Sequence, residues 1–332
     1  MQPDFHPDID FVHPNTFGHA AIAAAMLQGL GETAAAQTLR AKYYPSPTTQ
    51  PTRYPALSYT LEPVATPLAD GNVRYIVHYG WTPAPPAVTV RLQAPAGWTA
   101  TPAKLTMATG AFTLTGTPDR LTQNATLSAT AGAVVKELPI ALPAPWLVGA
   151  GMLSNEAWPS GKFTADKAVL PFEAALANGD GLGAPQTHAN GTQLTWTRYQ
   201  AGVDYTGGND PGSLDFAQVT LGKTFEVAYA ARWVYSPDAR PVRLNFGTNI
   251  FAGTFAVTAY LNGATLYTGT LTTEPNRRAV VDGKLNKGWN LLLLKSNHFQ
   301  WQWQLTCALS GDAPDDLADL RYSTATKMPT LP

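Results

Sequence analysis

The pattern of apolar and polar positions divides the chain into a short helical start and a long β-prone remainder. Between residues 17 and 30 apolar side chains are joined by alanines, Asn15 or Thr16 can cap the segment, and Gly31 supplies a stop. This pattern predicts a helix, and residues 32–42 favour a second one. No alternating βαβ pattern follows, so the sequence offers these helices no parallel sheet to pack on.

A proline-rich stretch separates the helices from the first β-prone region. Six prolines fall between residues 43 and 67, which predicts a linker without helical periodicity. Short β-prone runs separated by Gly, Pro and Asp then predict a small antiparallel β-sandwich. The runs are residues 73–79, 88–94, 112–114, 125–129 and 134–140.

A second β region begins after a long irregular lead from Trp146. Large apolar residues alternate with other residues over 225–231, 242–246 and 255–259, which is typical of half-buried antiparallel strands. Leu261-Asn262-Gly263 predicts a hairpin turn. Residues 312–332 are predicted to form an acidic turn and a loosely held tail.

Composition supports a turn-rich β protein and argues against charged partners. Charged residues make up 14% of the 332 residues, Gly and Pro number 28 each, and the net charge is -1. We therefore expect neither nucleic acid nor an anionic membrane as a partner. The longest nearly apolar run, residues 20–27, is too short to span a bilayer.

Few residues suggest a metal site or a reactive thiol. Cys307 stands alone in an alternating run and is predicted to be a buried thiol. His6 and His19 flank His13, but the histidines otherwise form no cluster, and we expect no cofactor. The sequence Asn178-Gly179-Asp180-Gly181 lacks the further acidic ligands of a calcium loop, so an ordinary turn is predicted.

The tryptophans offer two interpretations. Aromatic faces can stack on sugar rings, and Trp233, Trp289, Trp301 and Trp303 lie on predicted strands. Alternation puts Trp301 and Trp303 on the same face as Leu305, which favours core packing for both. No carbohydrate-binding residue can be named from these patterns.

The strongest chemical candidate is the pair Asp10 and His13, which precedes the first helix. A carboxylate bonded to one imidazole nitrogen allows the other nitrogen to take a proton from a nucleophile. With Pro14, Asn15 and the apolar helix that follows, this block resembles the last motif of the SGNH/GDSL ester hydrolases. The resemblance implies that Asp10 and His13 are two members of a catalytic triad.

The rest of that triad is missing from the sequence. No Gly-Asp-Ser nucleophile motif occurs, and the serines of Gly212-Ser213-Leu214 and Ser310-Gly311-Asp312 lack a strand-to-helix setting. Residues 207–210 match the family's Gly-x-Asn-Asp block, yet they follow the His block instead of preceding it, so a turn is predicted. We therefore expect the chain to be inactive alone.

Two further resemblances concern the β regions. Residues 91–98 resemble Ig-like modules attached to bacterial glycoside hydrolases. Residues 285–295 with 301–305 resemble galactose-binding-like jelly rolls found beside polysaccharide-degrading domains, and the resemblance implies that structural calcium is compatible with this module.

Together these patterns predict a mainly β chain of two antiparallel β-sandwich domains, Ig-like and then jelly roll, preceded by a short helical remnant of an α/β hydrolase domain. The predicted divisions are an SGNH segment at 1–44, a linker at 45–67, the Ig-like sandwich at 68–143, the jelly roll at 144–312 and a tail at 313–332.

The predicted function is a carbohydrate-binding or scaffolding C-terminal part of a secreted or periplasmic bacterial polysaccharide esterase. One alternative is an active O-acyl esterase in which Asp10 and His13 are completed by a nucleophile outside this chain or unrecognised in it. Another is a structural spacer. The apolar helix face of Phe17, Ile22 and Met26 predicts association with another domain or a second copy.

Overall fold

The protein is mainly β, as a computed structural model shows, and its sheets are antiparallel. This confirms the predicted fold class. The structure describes residues 16–43, 56–62, 64–68, 73–82, 84–85, 87–117, 122–153, 170–189, 191–200, 214–216, 219–220, 226–247, 255–271, 278–298, 303–312 and 317–330.

Two helices precede the sheets, as predicted. Helix α1 (Thr16–Gly29) and helix α2 (Thr33–Tyr43) pack on each other, and Ala24 and Ala36 are buried. Met26 is 64% exposed. The side chains of Phe17 and Ile22 lie outside the described set, so association through this face stays a prediction. The origin of the helices in a hydrolase domain is likewise untested.

The first β unit packs two small sheets around one core. One sheet has the order β1-β3-β6-β5 and the other has the order β4-β7-β8. The core between them includes Tyr75, Phe112 and Leu127. The strands are β1 (Ala56–Glu62), β3 (Val73–Thr82), β4 (Thr89–Gln93), β5 (Thr99–Thr101), β6 (Thr109–Gly116), β7 (Thr122–Ala131) and β8 (Val134–Pro143).

Strand β2 (Val64–Pro67) leaves this unit and pairs with β11 (Gln193–Gln200) in the second. Strands β1 and β2 therefore occupy the second half of the predicted linker. Prolines are compatible with them because Pro67 lies at a strand end, where a missing N–H is tolerated. The proposed domain divisions themselves stay a prediction.

The second unit contains a nine-stranded sheet and a four-stranded sheet. The large sheet has the order β10-β11-β9-β13-β18-β15-β16, with β2 paired to β11 and β20 paired to β13, and the small one has the order β12-β19-β14-β17. The strands are β9 (Trp146–Leu153), β10 (Gln186–Thr187), β12 (Leu214–Asp215), β13 (Glu226–Ser236), β14 (Arg240–Gly247), β15 (Phe255–Leu261), β16 (Ala264–Leu271), β17 (Arg278–Leu285), β18 (Gly288–His298), β19 (Gln304–Ser310) and β20 (Arg321–Ser323).

The large sheet is covered on both faces. One face packs against the small sheet around residues such as Leu244, Leu292 and Trp303. The other packs under the segment 170–184, which contains the short helix α3 (Glu173–Ala177). Because both faces are covered, nine consecutive residues of β18 are buried, a pattern that antiparallel strands show only when neither side faces water.

The predicted hairpin turn joins β15 and β16. Asn262 has φ 52 and Gly263 has φ 81, values that favour Asn and Gly. The Asn262 side chain accepts a hydrogen bond from the Leu291 N–H at 2.9 Å and donates one to Asn290 at 2.8 Å. The turn is therefore fixed to the central strand β18.

The C-terminal residues are packed, which corrects the prediction of a loosely held tail. Strand β20 pairs with β13, and Leu320 and Tyr322 are almost fully buried. The indole N–H of Trp233 donates to the Ala325 carbonyl at 3.0 Å. Sequence reasoning missed this because β20 has only three residues, too few to show a strand period.

Candidate functional site

The residues predicted to be catalytic, Asp10 and His13, lie outside the described residues, as do residues 207–210. Their roles stay predictions. Ser310 ends strand β19, and its hydroxyl accepts a hydrogen bond from the Asn245 side chain at 2.8 Å. No helix begins after it within the described residues 311–312 and 317–330. Within the described residues Ser310 therefore has no strand-to-helix setting of the kind that presents a hydrolase nucleophile.

Most described tryptophans belong to the cores and not to a sugar-binding surface. Trp303 is 1% exposed and packs against Phe216 and His298, so its predicted core role is confirmed. Trp233 is also buried, and Trp301 lies outside the described residues. Trp289 is half-buried and stands edge-on to Tyr235, with its indole N–H donated to the Thr330 carbonyl.

A depression of about 230 Å³ opens on the outer side of the small sheet, between β14, β17 and the end of β19. Its position follows from strand alternation. Val242 and Leu244 point into the core, so Pro241 and Arg243 point outward from β14, and Asp282 does the same from β17. The lining residues are Pro241, Val242, Arg243, Asp282, Gly283, Ser310, Gly311 and Asp312.

Arg243 lies at the centre of this depression between two carboxylates. Its guanidinium donates a hydrogen bond to Asp312, and its Nε lies 4.0 Å from an Asp282 carboxylate oxygen. The side chains of Arg243, Asp282 and Asp312 are 47%, 95% and 78% exposed. Since water screens such exposed pairs, they contribute little to stability and remain available for a ligand.

A second polar cluster is fully enclosed beneath α3. Lys295 Nζ donates to a Glu173 carboxylate oxygen at 2.9 Å, and both side chains are at most 3% exposed. The Leu170 N–H and the Tyr229 and Tyr260 hydroxyls donate to the same carboxylate. Burial, followed by the Glu173 contact, raises the pKa of Tyr260. The cluster is satisfied and enclosed, which suits a structural role.

A third group joins the two β units. Arg232 donates to the carbonyls of Ala144 and Pro145 at 2.9 and 3.2 Å, and its guanidinium carbon lies 3.7 Å from the Trp146 ring centroid. Burial lowers the pKa of Arg232 to about 10, so it remains a cation at neutral pH. The Tyr75 hydroxyl donates to the preceding carbonyl, that of Pro143.

The sequence predicts a buried thiol at Cys307, and the structure shows it half-buried. It is the free cysteine of β19, and it packs at the margin of the core between the two sheets. Burial raises the pKa of its thiol to about 12, an effect that nearby Arg232 only partly opposes. The thiolate, which is the reactive form, is therefore scarce at neutral pH.

Metal and membrane features are not found among the described residues. In that part of the chain no three His, Cys, Asp or Glu side chains are grouped as metal ligands. Residues 178–181 form a turn after α3, as predicted. No described helix has the length and apolar character needed to cross a membrane.

Sequence reasoning did not single out Arg243, Asp282 or Asp312 as a site. The available signal was the alternation in β14, where Arg243 and Asn245 occupy the positions between buried Val242, Leu244 and Phe246. That pattern shows which side chains face outward. It does not show which residue lies opposite Arg243 in the sheet. The register of β14 and β17 shows that this residue is Asp282.

Comparisons with known proteins do not assign a family. No family model matches the chain, and no curated protein matches it. One partial structural match is an anti-sigma factor domain-containing protein from Clostridium clariflavum, with a TM-score of 0.26 at 8% identity over 76% of this chain and 93% of that one. Another is the secreted serine protease VesC from Vibrio cholerae, with a TM-score of 0.21 at 9% identity over 82% of this chain and 51% of that one.

A further match comes from work on the promiscuous specificity of carbohydrate-binding modules of the β-sandwich superfamily. Its TM-score is 0.21 at 9% identity, and it covers 76% of this chain and 96% of that one. The structural neighbours thus include carbohydrate-binding modules. Similarities of this size carry no argument about the function of this chain.

Proposed function

We propose that the chain is a non-catalytic carbohydrate-binding unit whose ligand lies in the depression around Arg243. The observation that carries this proposal is the arrangement of one guanidinium, two carboxylates and a hydroxyl in one open recess. Sugars present many hydroxyl groups, each of which can donate and accept. A recess that offers donors beside acceptors matches that chemistry.

The recess is formed on paired strands that pack on the core. Arg243 and Asp282 are direct partners in the register of β14 and β17, and Arg243 also pairs with Ser310 of β19. Below them Val242 and Leu244 are buried in the core between the sheets. Side chains fixed on strands lose less entropy on binding than side chains on long loops, which supports recognition by this face.

The lining contains no aromatic ring, so the expected affinity is modest. Stacking on an aromatic face supplies much of the energy in tight sugar binding. We therefore expect a Kd on the order of 1 mM for a short oligosaccharide. A polysaccharide that presents many copies of the same unit would be retained more strongly.

The test is affinity electrophoresis of the purified chain through gels that contain neutral or acidic polysaccharides. Arg243→Ala should abolish the retardation seen with the parent chain, because it removes the central donor. Arg91→Ala is the matched control, since Arg91 is an exposed strand arginine of the first unit. Equal retardation of both variants and the parent chain would exclude this recess as the binding site.

We also propose that the chain derives from the C-terminal part of a secreted bacterial SGNH-type polysaccharide esterase, on the support of Asp10, His13 and the helix that follows.

The alternative of an active esterase makes a separate prediction. If a nucleophile completes the site, the chain will hydrolyse p-nitrophenyl acetate, and His13→Ala will remove that activity while His19→Ala will retain it. No hydrolysis by the parent chain, or equal hydrolysis by all three proteins, would contradict an esterase whose nucleophile lies within this chain.

The spacer alternative draws its support from the joint between the two β units. Strand β2 of the first unit extends the large sheet of the second, and Arg198 donates to the Leu68 carbonyl at 2.8 Å. Such a joint can hold other domains at a fixed separation. A chain that neither binds polysaccharide nor hydrolyses the ester would leave this function as the one supported.

A further inference from the structure

The charges around the proposed recess point to the class of glycan that it takes. Arg243 is flanked by Asp282 and Asp312. Lys284 follows Asp282 on the same outward face of β17 and pairs in register with Pro241, another lining residue. Two positive and two negative side chains therefore surround the recess, and their formal charges cancel.

The neighbouring ion pair of Arg240 and Asp319 does not change the net charge around the recess. Arg240 donates to both carboxylate oxygens of Asp319, at 2.9 and 2.8 Å. That contact lowers the pKa of Asp319, so the carboxylate stays ionised and offsets the arginine charge at neutral pH. The six charged side chains named around Arg243 thus carry three positive and three negative formal charges.

We infer that the recess selects an uncharged polysaccharide and rejects an acidic one. This inference rests on the proposed function. A uronic acid or sulfate placed against Arg243 would also lie close to both Asp282 and Asp312, so repulsion by the two carboxylates offsets attraction by the two cations and leaves the cost of desolvating the anion uncompensated. A neutral hydroxyl pair meets no such penalty, because it accepts from the guanidinium and donates to a carboxylate.

The experiment compares the parent chain with Asp282→Asn/Asp312→Asn, using xylan as the neutral probe and polygalacturonate as the acidic probe. The parent chain should bind xylan at least about tenfold more tightly than polygalacturonate, a ratio that one or two nearby like charges can produce. The double variant should lose most of that ratio by gaining affinity for polygalacturonate. Both aspartates are exposed, so the variant is expected to fold, and circular dichroism checks this.

Salt provides a second readout. Xylan binding by the parent chain should change less than about twofold between roughly 50 and 500 mM NaCl, because no net charge is engaged. The gained polygalacturonate binding should weaken over the same range. Asp282→Asn alone should give part of the gain, since Asp282 approaches Arg243 only at 4.0 Å and can be removed without loss of a hydrogen bond to it.

The outcomes separate the two claims. Binding of neither probe, nor of any other neutral polysaccharide, would overturn the proposed function itself. Tighter binding of polygalacturonate than of xylan by the parent chain would overturn the charge inference and leave carbohydrate binding intact. Xylan binding with no gain of polygalacturonate binding in the double variant would show that Asp282 and Asp312 do not exclude acidic chains.

Discussion

Replacing Lys295 by methionine should lower the free energy of unfolding by about 3–5 kcal/mol, the range found when one partner of a buried ion pair is removed. The change leaves the Glu173 carboxylate under α3 without its cation, and the side chain is 3% exposed. The remaining donors, from Leu170, Tyr229 and Tyr260, hydrogen-bond it but carry no positive charge. Urea-induced unfolding followed by tryptophan fluorescence measures the loss.

Two controls make this result specific to burial. Arg240→Met breaks the pair with Asp319, whose carboxylate is 49% exposed, and should cost no more than about 1 kcal/mol. Glu173→Gln/Lys295→Met removes both charges and should recover part of the loss. If Lys295→Met costs as little as Arg240→Met, the Glu173 cluster does not hold α3 on the sheet.

Replacing Arg232 by methionine should cost about 3 kcal/mol, because it leaves two enclosed carbonyls without their donor and removes the contact with Trp146. Arg232→Lys should recover only part of this loss. A lysine keeps the charge but lacks the planar fork that reaches the carbonyls of Ala144 and Pro145 together.

The same variant tests whether the two β units unfold as one. Arg232 lies in the second unit, whereas the carbonyls it binds lie between β8 and β9. We expect one unfolding transition for the parent chain and two separated transitions for Arg232→Met, measured by calorimetry. Arg91→Ala should leave the single transition unchanged. A single transition in Arg232→Met at the parent midpoint would show that Arg232 is not needed to couple the units.

Local patterns are sufficient to predict several strands, because a half-buried strand such as β14 carries its own period of two. Alternation predicts β13, β14 and β15, although β13 is buried on both faces, and β-prone runs bounded by turn residues predict β3 and β4. Helix α3 was not, since five residues cannot show a helical period. Its position depends on Lys295, which lies 122 residues away in the sequence. No local pattern can indicate a partner at that separation.

The candidate site was hidden from the sequence for a related reason. The outward direction of Arg243 could be read from the buried positions on either side of it. Its neighbours could not, because β14 lies between β17 and β19, although β15 and β16 follow it along the chain. The Asp10 and His13 motif shows a different limit of sequence analysis. A local motif can suggest a chemical role, but it does not locate the groups that would complete the site.

The pairing of β2 with β11 has a consequence for how the chain is made. A ribosome releases residues in order, so Val64 to Pro67 emerge long before Gln193 to Gln200, their partners in the sheet. Until then β2 lacks its partner strand, although the other strands of the first unit have already been synthesised. The wide separation of this pair along the chain predicts that it forms late, after an intermediate in which the edge of β2 is unpaired. Synthesis rate and chaperone supply should therefore affect the yield of folded protein.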